Sequence, residues 1–320
     1  MLSIRCVRFS PDDPLAALEL ADAPEPDVRE GWEVVELRAA SLNHHDLWTL
    51  RGVGAAEANL PIQLGTDLAG VTADGREVVV YPLVGGTDQA ALVSEGMHIL
   101  SEQGDPGTLA ERVAVPPHGL VPKPAGLSFA EAACLPTAYL TAWRMLFVKA
   151  ALREGDAVLV QGAGGGVATA AILLGAAAGL RVYATSRSEE RRSRAVTLGA
   201  TAAVEPGGRL PERVDAVIET VGKATWAHSL KSLRAGGTVV VSGATSGPDP
   251  SADLARMFWR QLDVRGSTMG TLEEFHALLA FLERTGVRPL VDSTFPLADA
   301  HAAFERLASG DAFGKVVLAA

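Results

Sequence analysis

The sequence predicts an α/β protein in which an irregular, mainly β domain precedes a doubly wound parallel sheet. Short extended runs and turn residues fill positions 1–123, whereas apolar strands and helices alternate regularly over positions 124–267. The strands of the second part are continuously apolar, which is typical of parallel strands buried on both faces. We therefore expect three segments, 1–123, 124–267 and 268–320, the last holding further helices and a final strand.

Composition and charge exclude several classes of function. The chain has 320 residues, 48% hydrophobic and 21% charged, which suits a well-cored protein of two domains. Its net charge of −10 disfavours a nucleic-acid partner, because phosphate binding requires an excess of Lys and Arg. No signal peptide and no apolar run of membrane-spanning length are seen, so we expect a cytoplasmic protein without a membrane partner. Cys6 and Cys134 lie too far apart in sequence to suggest a disulfide framework or a metal-ligand cluster.

The first 123 residues contain three predicted strands separated by turn signals. Arg5–Phe9 and Glu33–Arg38 have strand-like composition. Glu77–Tyr81 follows the turn dipeptide Asp74-Gly75 and forms the third. Frequent prolines and glycines interrupt the rest, which predicts an irregular β domain.

From residue 128 onwards the pattern becomes β-α-β-α-β, which predicts a parallel sheet with helices on both faces. A capping serine with a glutamate three residues later begins the first helix of this region. The predicted strands are 157–162, 181–185, 202–204, 215–220 and 238–243, and the predicted helices are 128–147, 167–180, 188–200 and 226–237. The tail adds helices over 272–286 and 297–310, a strand or loop around 289–295 and a last strand over 314–320.

A glycine-rich loop joins the strand at 157–162 to the following helix, with glycines at Gly162, Gly164, Gly165 and Gly166. Glycine permits the tight turn and the close approach of a pyrophosphate, which then lies at the helix N-terminus. Val167 stands where a third small residue is usual, and such a loop alone can be a structural turn. Its place between strand and helix favours a dinucleotide site of the Rossmann type.

The residues at the end of the second strand favour NADP(H). An NAD site typically presents a carboxylate about 20 residues beyond the glycines, to bind the ribose hydroxyls. In this chain Thr185, Ser186 and Arg187 occupy that region, with Arg191 one turn further on. Hydroxyl and guanidinium groups suit a 2′-phosphate. The alternative is that both arginines are solvated and paired with glutamates of the same helix.

The chain resembles the medium-chain dehydrogenase/reductase superfamily over nearly its whole length, and within it the zinc-free quinone oxidoreductase branch. The segments that carry the resemblance are SLNHHDLWTLRG (41–52), PIQLGTDLAG (61–70), GTLAERVAVP (107–116), LPTAYLTAW (135–143), VLVQGAGGGV (158–167), ETVGKATWAHSLKSLRAGGTVVVSGATSG (219–247), DVRGSTMGTLEEF (263–275) and FGKVVL (313–318). The resemblance implies a GroES-like catalytic domain to which the C-terminal segment returns after the Rossmann domain.

The resemblance also places residues at the catalytic zinc positions of the metal-containing branch. These positions hold Asn43, Thr66 and Thr137, whose amide and hydroxyl groups are poor zinc ligands beside thiolate and imidazole. Residues 81–112 lack the cysteines of a structural zinc lobe. The adjacent His44 and His45 have no third ligand nearby in the motifs. We therefore predict no metal.

Without a Lewis acid, simple alcohols become poor substrates, whereas quinones and enones form delocalised anions on hydride addition. The resemblance places Asn43 and Asp46 in the cleft beside the nicotinamide and Thr66 at a former metal position. His44 or His45 is a candidate proton donor, directly or through water, and the alternative is a positioning or core role.

Other positions carry over from the family as cofactor contacts. They are Thr137, Thr141, Val221, Gly222, Ser242, Gly243, Ala244 and Lys315. The predicted function is zinc-independent, NADPH-dependent reduction of a small quinone, enone or related activated carbonyl. A zinc-free alcohol or aldehyde reductase and a non-catalytic NADPH-binding protein are the alternatives. The family further implies a homodimer that pairs the last strand of the nucleotide sheet, near Leu262–Ser267, with its copy.

Overall fold

A computed structural model describes all residues, 1–320, and divides into two compact units. Unit 1 comprises Met1–Ala138, Thr271–Glu283 and Arg288–Ala320, and unit 2 comprises Tyr139–Gly270 and Arg284–Val287. The first boundary lies at residue 138 and not at 123, because the helix that begins after Ser128 packs on strands of unit 1.

Eighteen strands and ten α-helices follow one another along the chain. The strands are β1 (Leu2–Cys6), β2 (Leu18–Asp22), β3 (Glu33–Ser41), β4 (Ile62–Gln63), β5 (Ala69–Thr72), β6 (Glu77–Val80), β7 (Leu83–Val84), β8 (His98–Ile99), β9 (Arg112–Val115), β10 (Leu120–Pro122), β11 (Ala157–Val160), β12 (Arg181–Thr185), β13 (Ala202–Val204), β14 (Val214–Glu219), β15 (Leu233–Val241), β16 (Asp263–Gly266), β17 (Val291–Pro296) and β18 (Lys315–Ala319). The α-helices are α1 (His44–Leu50), α2 (Gln89–Leu92), α3 (Phe129–Ala132), α4 (Leu140–Trp143), α5 (Gly166–Ala177), α6 (Glu189–Thr197), α7 (Trp226–Ser232), α8 (Leu254–Arg260), α9 (Leu272–Thr285) and α10 (Ala300–Ala308).

Unit 1 is built on a seven-stranded sheet in the order β10-β6-β5-β3-β18-β17, with β9 also paired to β3. A three-stranded sheet, β2-β1-β4, and the β7-β8 hairpin complete it. The pairing of β18 with β3 is antiparallel, with Val317 opposite Ser41. Because β18 comes from the end of the chain, this pairing ties the C-terminal segment into unit 1 and brings Lys315 to the end of β3.

Unit 2 contains a six-stranded parallel sheet in the order β13-β12-β11-β14-β15-β16. The order reverses direction between β11 and β14, which is the point where open α/β sheets bind ligands. The predicted fold class, a Rossmann sheet with a mainly β GroES-like domain, is confirmed.

Several element predictions differ from the structure. The first strand is Leu2–Cys6 and not Arg5–Phe9, because it pairs with β2 in a register that buries Ile4 and Cys6. The helix that begins at Trp226 ends at Ser232 and not at 237, because Leu233 has extended backbone angles and pairs with β14.

The long helix expected over 128–147 is α3 and α4 with π-helical turns after each, and α8 is not among the predicted helices. No helix combines the length and the apolar character that crossing a membrane requires.

Candidate active site and cofactor site

A cluster of polar side chains, all buried except the partly exposed Thr137, lies in unit 1 around the end of β3 and the start of α1. We call it the polar cluster; it comprises Ser41, Asn43, Thr66, Asp67, Thr137 and Lys315. Asn43 is the N-cap of α1, and Lys315 is the first residue of β18. The antiparallel pairing of β3 with β18 brings these two residues together across most of the length of the chain.

Asn43 is held in one orientation by its neighbours. Its Oδ1 accepts a hydrogen bond from Lys315 Nζ at 2.5 Å. Its Nδ2 donates to Asp67 Oδ2 at 2.9 Å and to Thr66 Oγ1 at 3.1 Å. Because an ammonium only donates and a carboxylate only accepts, the two ends of the amide cannot be exchanged.

Lys315 and Asp67 form a buried ion pair, with the side chains 4% and 0% exposed and Nζ 3.4 Å from Oδ2. The ammonium also donates to the Leu42 carbonyl at 2.7 Å, so Leu42, Asn43 and Asp67 supply acceptors for its three hydrogens. Ser41 Oγ donates to Asp67 Oδ2 at 2.6 Å. Lys315, which the family resemblance gave as a cofactor contact, thus has its donors used within unit 1.

Asp67 and Ser41 were missed by the sequence predictions. The available signal was a lone carboxylate in the apolar run LGTDLAG, immediately after Thr66. A charged residue in such a run is expected to be paired when buried. The identity of its partner depends on the pairing of β18 with β3, which the sequence pattern does not reveal.

Asp46 lies at the third position of α1 and is completely buried. Its Oδ2 accepts the Asn43 backbone N–H at 2.8 Å, and its Oδ1 accepts the Gly65 N–H at 3.0 Å. Burial raises the pKa of the Asp46 carboxyl, against the opposing effect of His45. The Asp46 carboxylate therefore links the start of α1 to the turn that carries Thr66. Gly65 in that turn has φ +99°, and a Cβ there would lie 2.5 Å from Thr108 Oγ1.

The two histidines of α1 have different surroundings. The His44 side chain is exposed at its surface. The surrounding protein nevertheless removes part of its hydration, and this desolvation lowers the pKa of the imidazole; the positive charges of Lys315 and Arg51 lower that pKa further. His45 is partly buried and its Nε2 lies 3.3 Å from Ser101 Oγ. His44 therefore has the better access for a role as proton donor, although its lowered pKa disfavours the protonated imidazolium that would donate. That role stays a prediction.

The residues at the former metal positions do not fit a zinc ion. Asn43 Nδ2 donates to Thr66 Oγ1, and Thr66 Oγ1 lies 3.0 Å from Thr137 Oγ1, so the three side chains bond one another. Cys134 is completely buried, and burial raises its pKa to about 12, which keeps the thiol protonated. No group of three or more His, Cys, Asp or Glu side chains is placed to hold a metal.

The glycine loop of unit 2 follows β11 and fits a dinucleotide. Gly162 and Gly164 have φ values of +76° and +139°, which favour glycine. Gly165 is the N-cap of α5, with no capping side chain, and a Cβ there would meet nothing within 4 Å. No side chain therefore caps the N-terminus of α5, where a bound pyrophosphate would lie.

Thr185 supports the glycine loop from the neighbouring strand. Its Oγ1 accepts the Gly162 N–H at 3.0 Å and donates to Gln161 Oε1 at 2.7 Å. Gln161 Nε2 in turn donates to Ser229 Oγ at 3.0 Å. The Thr185 side chain is buried and occupied, so it positions the loop, and of the predicted phosphate contacts after β12 it is the one least placed to reach a ligand.

A buried carboxylate of unit 2, Glu219, fixes the turn after β14. Its Oε1 accepts the N–H groups of Val221 and Gly222 at 2.8 and 3.0 Å. Its Oε2 accepts from Thr225 Oγ1 at 2.9 Å and from Ser229 Oγ at 2.6 Å. Through Ser229 this network joins that of Gln161, so the ends of three parallel strands are cross-linked beneath the predicted cofactor positions. The sequence predictions did not identify this support.

The segment after β12 carries the residues predicted to bind a 2′-phosphate. Arg187 is exposed and its guanidinium forms no ion pair, so the alternative of pairing within the helix does not hold for it. Ser186 Oγ accepts the Ser188 N–H at 3.2 Å. Arg192 Nη1 donates to the carbonyls of Ser186 and Arg187 at 2.8 and 3.2 Å, which fixes this turn. Arg191, partly buried, lies on the following turn of α6.

The structure brings most of the predicted cofactor residues to the carboxyl edge of one parallel sheet. The glycine loop follows β11. Thr185 ends β12, and Ser186 and Arg187 follow it. Val221 and Gly222 follow β14, and Ser242, Gly243 and Ala244 follow β15. Thr141 is buried on α4 of the same unit. Thr137 and Lys315 lie in unit 1 instead, within the polar cluster.

Comparison with known proteins agrees with this arrangement. Residues 29–125 match the family model described as alcohol dehydrogenase GroES-like domain, and residues 166–284 match that of the zinc-binding dehydrogenases. A zinc-type alcohol dehydrogenase-like protein of Schizosaccharomyces pombe is 30% identical, with 98% of this chain and 99% of that protein covered. The 2-methylene-furan-3-one reductase of Solanum lycopersicum is 32% identical, with 92% of this chain and 73% of that protein covered.

The quinone oxidoreductase of Mus musculus is 28% identical, with 99% of this chain and 97% of that protein covered. The crystal structure of an NAD-dependent alcohol dehydrogenase, 34% identical, superposes with a TM-score of 0.92 and covers 100% of both chains.

The fold and the two sites define an oxidoreductase of the class that pairs a GroES-like domain with a nicotinamide-dinucleotide domain. The chain belongs to the medium-chain dehydrogenase/reductase superfamily.

Proposed function

We propose that this protein is an NADPH-dependent reductase of quinones, enones or related activated carbonyls that works without zinc. The observation that carries the proposal is the donor set at the former metal positions, an amide and two hydroxyls bonded to one another. Such a set can donate a hydrogen bond to an oxygen that gains charge, but it cannot make an alcohol acidic as a Lewis acid does. Two of the relatives are a quinone oxidoreductase and an enone reductase.

The cofactor, when bound, supplies a hydride. The protein's own residues hold it: the glycine loop and the open N-terminus of α5 receive the pyrophosphate, and Arg187 receives the 2′-phosphate. The similar alcohol dehydrogenase is NAD-dependent by name, so the choice of cofactor rests on the residues after β12 in this chain. None of these is acidic before Glu189, which removes the usual contact to the ribose hydroxyls.

The proposal is tested by steady-state oxidation of NADPH with a panel of 1,4-benzoquinones and cyclic enones, run beside simple aldehydes and, in reverse, alcohols. We expect turnover with the quinones or enones and little with the others. Turnover with aldehydes and alcohols alone would favour the alcohol dehydrogenase alternative. Tight NADPH binding without turnover of any substrate would favour a non-catalytic binding protein.

The proposed chemistry predicts the metal content of the purified protein. We expect less than stoichiometric zinc and unchanged turnover after dialysis against a chelator, because amide and hydroxyl groups bind zinc weakly. Elemental analysis of the protein before and after dialysis provides the measurement. One tightly bound zinc per chain, lost together with activity, would contradict the zinc-independent mechanism.

We also propose that the protein is a homodimer joined through β16. This strand lies at the edge of the six-stranded sheet, where its outer backbone groups face solvent. Exposed apolar side chains lie on α8, the helix that immediately precedes it, among them Phe258 at 70% and Trp259 at 81% exposed, and Val264 on the strand itself is 43% exposed. An unpaired edge flanked by apolar groups suits pairing with a second copy about a two-fold axis.

The dimer proposal predicts that the wild-type protein has the mass of a dimer in solution. It also predicts that Trp259→Asp dissociates the dimer into monomers. The charge would have to be buried against the partner, at a cost of several kcal/mol. Light scattering after gel filtration at micromolar concentration measures the mass. Val93→Asp is the matched control, because Val93 is 72% exposed but lies in unit 1. A monomeric wild-type protein would show that the edge strand is simply solvated.

A further inference from the structure

We propose that Thr137 is the hydrogen-bond donor to the substrate oxygen, and that Lys315 orients and polarises it through Asn43 and Thr66. This inference rests on the proposed function, since it assigns the group that stabilises the charge formed in that reaction. It differs from the sequence prediction, which gave Thr137 and Lys315 as cofactor contacts and Asn43 and Thr66 as catalytic residues.

The direction of the hydrogen bonds follows from the burial of Thr66. Its Oγ1 accepts from Asn43 Nδ2 at 3.1 Å and lies 3.0 Å from Thr137 Oγ1. Thr66 is completely buried, and Thr137 is its one remaining hydrogen-bond partner. If Thr137 donated to Thr66, the Thr66 hydroxyl hydrogen would be buried without an acceptor, which costs about 1–3 kcal/mol. Thr66 therefore donates to Thr137.

This direction leaves the hydroxyl hydrogen of Thr137 free to donate. Thr137 is partly exposed, unlike Thr66, so its hydrogen can reach a ligand. The chain of donors thus runs from Lys315 to Asn43, then to Thr66, and ends at Thr137. Hydrogen bonds arranged in one direction polarise one another, which strengthens the terminal donor.

Lys315 supplies the positive charge at the buried end of this chain. Its ammonium bonds Asn43 Oδ1 at 2.5 Å, and that contact forces the amide to present Nδ2 to Thr66. The nearby Asp67 carboxylate compensates this charge, which offsets the free-energy cost of burying the ammonium. Lys315 is thus a positioning residue, whereas Thr137 is the catalytic residue that touches substrate.

In the proposed reaction, hydride adds to the β-carbon of an enone or to a quinone. The electron pair of the double bond moves onto the carbonyl oxygen, and the resulting enolate or hydroquinone anion later takes a proton from solvent. The Thr137 O–H keeps its proton and donates a hydrogen bond that strengthens as the oxygen becomes negative. Such a donor acts mainly on the transition state, so its loss should lower kcat more than it raises KM.

The test compares Thr137→Val with Thr137→Ser, which retains the hydroxyl. We expect Thr137→Val to lower kcat roughly ten-fold or more with little change in KM, and Thr137→Ser to retain most of the rate. Thr49→Val is the matched control, since Thr49 is a threonine of unit 1 whose hydroxyl bonds the His45 carbonyl within α1 and, unlike that of Thr137, is buried away from any ligand. It should leave kcat unchanged.

The contribution of Lys315 is tested in the double variant Asp67→Asn/Lys315→Met, which removes both charges of the buried pair. We expect this variant to lower kcat, and its combination with Thr137→Val to be no slower than Thr137→Val alone. Effects that act through one terminal group are not additive, whereas independent structural effects multiply. Multiplying losses would overturn the assigned role of Lys315.

A readout without turnover uses 2-cyclohexen-1-one bound to the protein with NADP⁺, which cannot reduce it. Difference Raman spectroscopy should show a lower carbonyl stretching frequency with the wild-type protein than with Thr137→Val. Equal frequencies, or no bound carbonyl signal in the wild type, would overturn the inference. A wild-type protein that reduces quinones while Thr137→Val is equally fast refutes only this inference, whereas a wild type without such activity refutes the proposed function.

Discussion

Replacing Arg187 by alanine should weaken the binding of NADPH by roughly 10- to 150-fold and leave that of NADH nearly unchanged. The loss of a charge-assisted hydrogen bond to phosphate costs about 1.5–3 kcal/mol, which converts to that range of affinity. The structure supports the expectation because the Arg187 guanidinium is exposed and has no carboxylate partner to leave. Its backbone is fixed by Arg192, so the side chain starts from a defined turn.

The binding constants are best measured by titration calorimetry or by the fluorescence of the reduced nicotinamide, with both cofactors. Arg194→Ala is the matched control. Arg194 lies further along α6, and its Nη1 is 3.7 Å from Glu190 Oε1, so the two side chains form an ion pair. It should affect neither cofactor. Equal losses of NADPH and NADH affinity in Arg187→Ala would show that Arg187 does not bind the 2′-phosphate, and the proposal of NADPH would then fail.

Replacing Lys315 by methionine should destabilise the fold of unit 1 severely. The substitution leaves the Asp67 carboxylate, which is 0% exposed, without its cation, and breaking a buried ion pair in this way costs about 3–5 kcal/mol. For a unit of this size, such a loss lowers the melting temperature by on the order of 10 °C. Calorimetry or circular dichroism during heating gives the measurement.

The double variant Asp67→Asn/Lys315→Met should recover much of the lost stability, because it leaves no uncompensated charge. Arg112→Ala serves as the control for removing a cation: its partner Glu25 is exposed and should tolerate the loss with little change in melting temperature. If Lys315→Met melts like the wild type, the buried pair does not hold unit 1 together. The role of Lys315 in orienting Asn43 would then lose its structural basis.

Much of the fold could be predicted from local sequence. The strands Arg181–Thr185 and Ala202–Val204 have the predicted bounds, and the glycine loop stands between β11 and α5 as expected. These elements can be recognised because apolar periodicity and glycine conformation are properties of neighbouring residues. The errors fall where tertiary pairing decides, as at Leu233, whose pairing with Val214 extends β15 into residues expected to be helical.

The candidate site shows the same division. Glycine positions, the hydroxyls at the former metal positions and the absence of an acidic residue after β12 were visible in the sequence, because each depends on residue type at a fixed place in a motif.

The partners of these residues were not visible. Only the structure shows that Lys315 bonds Asn43 and that Thr185 bonds Gly162, because those contacts join strands that are remote in sequence. The sequence by itself thus determined which functional groups the protein carries. The strand pairings of the tertiary structure determined which of these groups hydrogen-bond one another and which keep a donor free for a ligand.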